Sequence, residues 1–342
     1  MRRPEITHTV RAYDWWEFKL SPIFATAYAT ASLSGQPIAP LWPLLLLALA
    51  ALAPGAAYVS LINDLTDIRD DLASGKSNRM VGKSRAFVAL ALACCLAPGL
   101  AVSLYWRDDP LLLSLYLAAW VAFSLYSLPP VRLKARGFLG LLADASGAHL
   151  FPTLLVVSLV HRWRAEPVEA VWFAAVAVWS LCLGLRGNLW HQLSDLPNDE
   201  KTGLRTFARR HKITRLNRLG NFVIFPAEAA AFAVMLWRLG SPLAFVLLGL
   251  YALLEWSRSS WWKMNLVIVA PKERFHIVML EYYEAFFPLA VLLASAAAHP
   301  YDALVLAAHL LLFPKRATQT VKDALKMTRQ RVGGFLRARG GA

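Results

Sequence analysis

Charge and cysteine are both scarce in this chain. Only 17% of its 342 residues are charged, 22 Asp and Glu stand against 36 Lys and Arg, and three residues are cysteine. Cys94, Cys95 and Cys182 lie inside apolar runs without paired metal-ligand spacing, which argues against a disulfide scaffold or a thiolate site and leaves packing as their expected role. The amino terminus lacks the compact apolar region and cleavage site of a secretory signal, so the first apolar helix is expected to be retained. No low-complexity linker and no stretch of soluble-domain composition interrupts the chain. Hydrophobic residues instead make up 57% of it, with a mean hydropathy of +0.44, more than a soluble domain can bury. The expected fold is all-α, a polytopic membrane protein.

Apolar segments of helical length fall near 16–35, 41–62, 86–105, 110–128, 138–160, 168–190, 219–238, 241–257 and 276–298, close to the roughly 20 residues a crossing needs. About nine transmembrane helices around a central cavity are expected, with the shorter run 300–313 a re-entrant segment or a tenth span. Pro54, Pro98, Pro152 and Pro288 fall inside spans, where packed neighbours can satisfy the freed carbonyls. With the amino terminus inside and ten crossings, 32 Lys and Arg fall on the inner side and four (Arg107, Arg162, Arg164 and Arg238) on the outer. That asymmetry orients the chain and makes the inner side cytoplasmic. The net charge of +14 therefore reads as orientation; without an aromatic-basic groove or a separate basic domain, no nucleic-acid partner is expected. Residues 1–314 form the membrane domain. Residues 315–342 form a basic tail, in which Val321, Ala324, Leu325, Thr328, Val332, Phe335 and Leu336 recur opposite Lys322, Lys326 and Arg329. The tail is expected to be an amphipathic helix on the anionic leaflet.

Two acidic clusters carry the chemistry. If the second span continues into Asn63-Asp64-Leu65-Thr66-Asp67-Ile68-Arg69-Asp70-Asp71, then Asp64, Asp67 and Asp71 share one helical face. Asp195 and Asp199 repeat the design at i, i+4 after another apolar run. Carboxylates are expensive at the centre of a membrane helix, and placing both clusters at helix ends around cations removes that burden. Mg²⁺ favours one or two carboxylates completed by water and substrate phosphate, so two such faces can grip one diphosphate. Asn63 can add a neutral oxygen or serve a helix end, while Asp70 points to another face and is expected to be solvated or paired with a basic residue. A gripped diphosphate also needs fixed positive partners, for which Arg79, Arg132 and Lys134 are the candidates. Lys76 and Lys201 stand beside the motifs. Each of these basic residues can also be a plain topology determinant.

The spacing N-D-x-x-D-x-x-x-D from Asn63, followed by Lys76, Asn78 and Arg79, resembles the first signature of the UbiA superfamily of intramembrane prenyltransferases. Asp195-x-x-x-Asp199-x-x-x-Gly203-x-x-Thr206 resembles the second. Tyr126-Ser127-Leu128-Pro129-Pro130-Val131-Arg132-Leu133-Lys134 is similar to the family's loop after its fourth helix. The resemblance covers roughly residues 15 to 300; Met80 stands where the family often has Pro. It implies Mg²⁺ held by the two motifs, a prenyl diphosphate whose departing diphosphate is surrounded by the basic residues with Tyr126 and Ser127, and transfer of the prenyl group to a lipophilic acceptor, which can be aromatic.

The allylic cation so formed needs shielding and aromatic faces; Tyr58, Trp190, Tyr282 and Tyr283 are candidates, whereas Trp15, Trp16, Trp261 and Trp262 read as interface anchors. Glu281 and Glu284 can hold an acceptor or pair with a basic residue. His149 and His191 are read as isolated hydrogen-bonding residues. Two other functions fit the same pattern: a terpene cyclase on this scaffold, and a transporter of a cation or phosphorylated solute. A CDP-alcohol phosphotransferase does not, because Ile68 follows Asp67 where its pattern needs Gly.

Overall fold

The computed structural model describes residues 5–340, with side chains from 7 to 330. After a short helix, Glu5–Thr9, the chain forms α1 (12–32) and α2 (Trp42–Ser74), then α3 (Arg85–Tyr105), α4 (Pro110–Ser127), α5 (Phe138–Arg164) and α6 (Ala170–Thr202). There follow α7 (Ile213–Leu239), α8 (Pro242–Trp262), α9 (Tyr282–Ala298), α10 (Asp302–Leu312) and α11 (Pro314–Gly340). Six of these, α2 to α7, are long and apolar enough to cross a membrane; the other expected crossings are the broken α1, the less apolar α8 and the 17-residue run of α9. Between α8 and α9 lies a small parallel pair, β1 (Asn265–Val267) and β2 (Phe275–Ile277), of which β2 occupies what reads in sequence as the start of a span.

Four of the helices share a local device. A single wide, π-helical turn precedes a proline by two residues at Trp16–Leu20 before Pro22, Ser146–Leu150 before Pro152, Gly220–Ile224 before Pro226 and Tyr282–Phe286 before Pro288. Proline has no N–H to give and its ring crowds the carbonyl one turn back, so widening that turn lets the helix continue.

The two motif-bearing helices, α2 and α6, are each 33 residues long, about 50 Å against a hydrocarbon core of about 30 Å. Their last turns therefore project beyond the apolar zone. Both stop at a glycine in the left-handed conformation, Gly75 at φ 80° and Gly203 at φ 76°, where a side chain would be strained. Elsewhere the core is aromatic. Trp179 of α6, Phe232 of α7 and Tyr282, Tyr283 and Phe287 of α9 are buried together, beside the fully buried pair Arg186–Glu228, joined at 2.6 and 2.7 Å.

All four basic residues assigned to the outer side gather at one end of the bundle. Arg162 meets Asp109 at 3.1 Å, Arg238 meets Glu169 at 3.3 Å, Arg107 meets Asp108, and Arg164 donates to the Pro37 carbonyl. The aspartate motifs lie at the opposite end. The run 300–313 contains only the 11 residues of α10, short for a span, yet it retraces α1: Asp302 accepts from the Ile38 and Ala39 amides at the far end, and Trp16 donates to Leu312 at the near end. Glu17 then caps α11 through the Lys315 and Arg316 amides, both at 2.9 Å, a favourable place for a carboxylate. The basic tail thus starts on the same face as both motifs.

The tail is helical as expected, but part of it is docked. Arg316, Thr320 and Asp323 bond Glu284, Glu281 and Arg258 of the bundle, and Met327 is buried beneath them. Val321 and Leu325, 56% and 53% exposed, face away with Ala324, Thr328, Lys322 and Arg329, whereas Lys326 lies over the Trp262 ring at 5.5 Å. The side chains of Val332, Phe335 and Leu336 lie outside the described residues. Of the cysteines, Cys95 and Cys182 are buried and Cys94 is exposed, contrary to the packing expectation.

Candidate active site

The helical face read from the sequence exists. Asn63, Asp64, Asp67 and Asp71 from α2 and Asp195 and Asp199 from α6 line one cavity of about 260 Å³. Helix C-termini already carry partial negative charge, so carboxylates concentrated in the last turns of two helices demand cations. The chain supplies several itself. Arg11 Nη2 lies 3.0 Å from Asp64 Oδ1, with Arg79 3.8 Å from Oδ2. Arg132 bonds Asp67 at 2.9 Å and Asp70 at 2.6 Å. Lys134 bonds Asp67 and donates to Asn63 Oδ1 at 3.1 Å. Lys76 meets Asp195 at 3.0 Å.

Neutral groups hold the remaining carboxylates. Asn78 donates both to Asp71 and to the Asp64 carbonyl at 2.8 Å, tying the loop after α2 to its own helix. Thr206 donates to Asp199 at 2.8 Å, and its backbone bridges to Gly137, joining the loop after α6 to the loop after α4. The latter loop brings Arg132 and Lys134 over α2. Lys134 is 5% exposed, and burial holds its ammonium below the usual lysine value, against the pull of Asp67.

An apolar chamber lies immediately below. Its lining includes Trp15, Ile23, Leu52, Val59, Tyr116, Trp120 and Phe123, with Lys19 as its charged member. On two helices and at the entrance to α1 the lining changes from apolar to polar within about one turn: Val59 to Asn63, Phe123 to Tyr126, and Trp15 to Arg11. Trp120 stacks on Tyr58 at 4.9 Å and sits so close to α3 that a Cβ on Gly99 would come within 2.8 Å of its ring.

Several expectations need correction. Lys201 is exposed on the last turn of α6 and does not line the cavity, because it projects away from the Asp195–Asp199 face. Ser127 is buried behind Tyr126, outside the lining. Asp70 does pair with a basic residue, as expected, but it also lines the cavity, because the loop carrying Arg132 folds over that side of α2. Tyr58 reaches the chamber, whereas Tyr282 and Tyr283 are locked in the α6–α7–α9 core and Trp190 packs on Phe275 and His191. Trp15, expected at the interface, is buried in the chamber wall. Glu281 and Glu284 pair with basic residues, Arg258 and Arg316, one of the two roles expected of them.

Reading the sequence missed Arg11, Asn188, Gln192 and His191 as lining residues. Asn188, Gln192, Asp195 and Asp199 recur at i, i+4, i+7 and i+11, so helical periodicity could have found two of them. Nothing local marks Arg11.

The donor chemistry suits a hard divalent cation. Six oxygen-bearing side chains line the cavity from two helices, and Asp64 Oδ2, buried, accepts no hydrogen bond among the described residues.

Fold and site together define a multi-pass integral membrane protein with two opposed carboxylate faces above an apolar chamber. Residues 21–279 match the model of the UbiA prenyltransferase family, and the chain belongs to that family. Two solved structures have a similar fold. One is a UbiA homolog from Archaeoglobus fulgidus bound to GPP and Mg²⁺, with TM-score 0.51 and 14% identity over 91% of this chain and 100% of that one. The other is a UbiA homolog from the same organism bound to DMAPP and Mg²⁺, with TM-score 0.51 and 15% identity over 91% and 99%. No curated protein sequence matches this chain.

Proposed function

We propose that this protein is a Mg²⁺-dependent intramembrane prenyltransferase that ionises a prenyl diphosphate and transfers the prenyl group to a lipophilic acceptor. The observation that carries the reading is the continuous face of α2, apolar from Leu52 to Val59 and carboxylate-bearing from Asn63 to Asp71, with Asp195 and Asp199 opposite. A molecule with an anionic head and an isoprenoid tail matches that change of lining. The solved relatives with prenyl diphosphates and Mg²⁺ support the same ligand class.

Asp64, Asp67, Asp71, Asp195 and Asp199, with Asn63, would hold the cation, which when bound neutralises charge on the leaving diphosphate. Arg132, Lys134, Arg79 and Lys76 bind diphosphate oxygens as the carbon–oxygen bond breaks and the electron pair leaves with pyrophosphate. Tyr58, Trp120 and Phe123 wall the allylic cation from water and offer it their ring faces. A bond then forms between the allylic carbon and the acceptor, whose proton passes to a motif carboxylate. At the junction of the two compartments Lys19, Asn188 and His191 are better placed to orient an acceptor than the occupied Glu281 and Glu284. The head group enters from the cytoplasmic side, where the tail helix lays Val321 and Leu325 on the anionic leaflet.

Incubating the purified protein with Mg²⁺ and geranyl, farnesyl or geranylgeranyl diphosphate, followed by mass analysis of organic-soluble products, tests this. Little turnover is expected until a membrane or metabolite extract is added, and then a product heavier than the prenyl group. A cyclic hydrocarbon or terpene alcohol formed rapidly from the donor alone would establish a cyclase instead.

A further inference from the structure

Arg11 precedes the segment matched by the family, 21–279, yet it reaches the first motif. Its Nη2 lies 3.0 Å from Asp64 Oδ1 across the lining of the carboxylate cavity. Asp64 is 1% exposed while the Arg11 side chain is 30% exposed, so the guanidinium stands at the rim with room to move. Its buried Nε has no hydrogen-bond partner among the described residues, although a guanidinium offers five donors. The backbone that delivers it is unusual: Arg11 has φ 51°, a left-handed conformation that residues with side chains avoid. The turn is held by Arg11 N to His8 O at 3.3 Å, Asp14 N to Arg11 O at 2.8 Å and Trp15 Nε1 to Val10 O at 2.8 Å. Trp15, anchored to that turn, lines the apolar chamber, so one short segment touches both compartments.

We propose that Arg11 is a donor-binding residue held in reserve: it neutralises Asp64 until a divalent cation takes that carboxylate, and its guanidinium then turns to the diphosphate. This rests on the reading of the site as a cation–diphosphate centre. A cation on Asp64 and a guanidinium 3 to 4 Å away repel each other. The planar fork, once displaced, matches a phosphate's paired oxygens better than a single carboxylate oxygen. Arg11 thereby acts against the cation before the donor arrives and for the donor afterwards.

The two roles give opposite signs, which separates them from a structural one. Full-length wild type, Arg11→Ala and Arg11→Lys in detergent are titrated with Mn²⁺ alone, read by electron paramagnetic resonance, and with inorganic pyrophosphate in saturating Mg²⁺, read by calorimetry. Arg11→Ala is expected to bind Mn²⁺ about threefold more tightly, as a partly exposed competitor is removed. It is expected to bind pyrophosphate about tenfold more weakly, as a charge-assisted contact is lost. Arg11→Lys, which keeps the charge without the fork, should retain wild-type Mn²⁺ binding and fall between the two for pyrophosphate. Loss of both affinities together, or no change in either, overturns the proposal. Wild type that binds neither probe overturns the cation–diphosphate reading itself, and this inference with it.

Discussion

Lys76 Nζ lies 3.0 Å from Asp195 Oδ1, so a residue just past the first aspartate motif is paired with the opening carboxylate of the second. The contact spans 119 positions of sequence and closes the cavity between α2 and α6. It also makes the two motifs one electrostatic unit, in which altering either carboxylate face changes the charge seen by the other.

That coupling sets the first expectation. Asp64→Asn or Asp195→Asn, or excess chelator, should reduce diphosphate release by roughly a thousandfold or more, the scale of several kcal/mol of charge stabilisation. The variants should remain folded in detergent. Release of pyrophosphate from a labelled donor measures the effect, and full activity in chelator would end the metal-assisted mechanism.

Thr206 offers a subtler test, because it orients Asp199 without lining up as a carboxylate itself. Thr206→Val keeps the size and removes the 2.8 Å hydrogen bond; cation affinity should weaken by about 10- to 100-fold, whereas Thr206→Ser should restore most of it. Equal behaviour of the two variants would leave the hydroxyl without a role.

Stability should depend on the buried pair Arg186–Glu228, both almost wholly inaccessible. Glu228→Gln strands a buried guanidinium and is expected to cost about 3–5 kcal/mol, seen as a lower Tm in detergent. The double replacement Arg186→Met with Glu228→Leu should lose less than either single change. A larger loss in the double variant would contradict this account of the pair.

Orientation is tested with single cysteines in a background where Cys94 is Ser. Cysteines at Ser77, Ser194 and Lys322 should react with an impermeant thiol reagent from the cytoplasmic face only, and a cysteine at Arg107 from the opposite face only. Labelling of Lys322→Cys from the Arg107 side would place the tail opposite the motifs.

Much of this molecule follows from the sequence alone, for a local reason. Hydropathy fixes which segments enter lipid, and 3.6-residue periodicity fixes which side chains share a helical face. Asp64, Asp67 and Asp71 therefore align on α2 whatever surrounds it, and Asp195 and Asp199 align on α6. The imbalance of Lys and Arg likewise foretold that Arg107, Arg162, Arg164 and Arg238 gather at the end away from the motifs.

Tertiary structure alone decided what meets across helices, because packing angles, wide turns at proline and loop paths carry no short-range signature. Tyr282 and Tyr283 became core because the wide turn at the start of α9 sets them against Trp179 and Phe232. Glu281 and Glu284 meet Thr320 and Arg316 because α10 retraces α1 and starts the tail helix beside them. Arg11 reached Asp64 because a left-handed turn at the entrance to α1 aims its side chain inward. A helix can dictate its own face from its sequence; which partner completes that face is settled only when the other helices have packed.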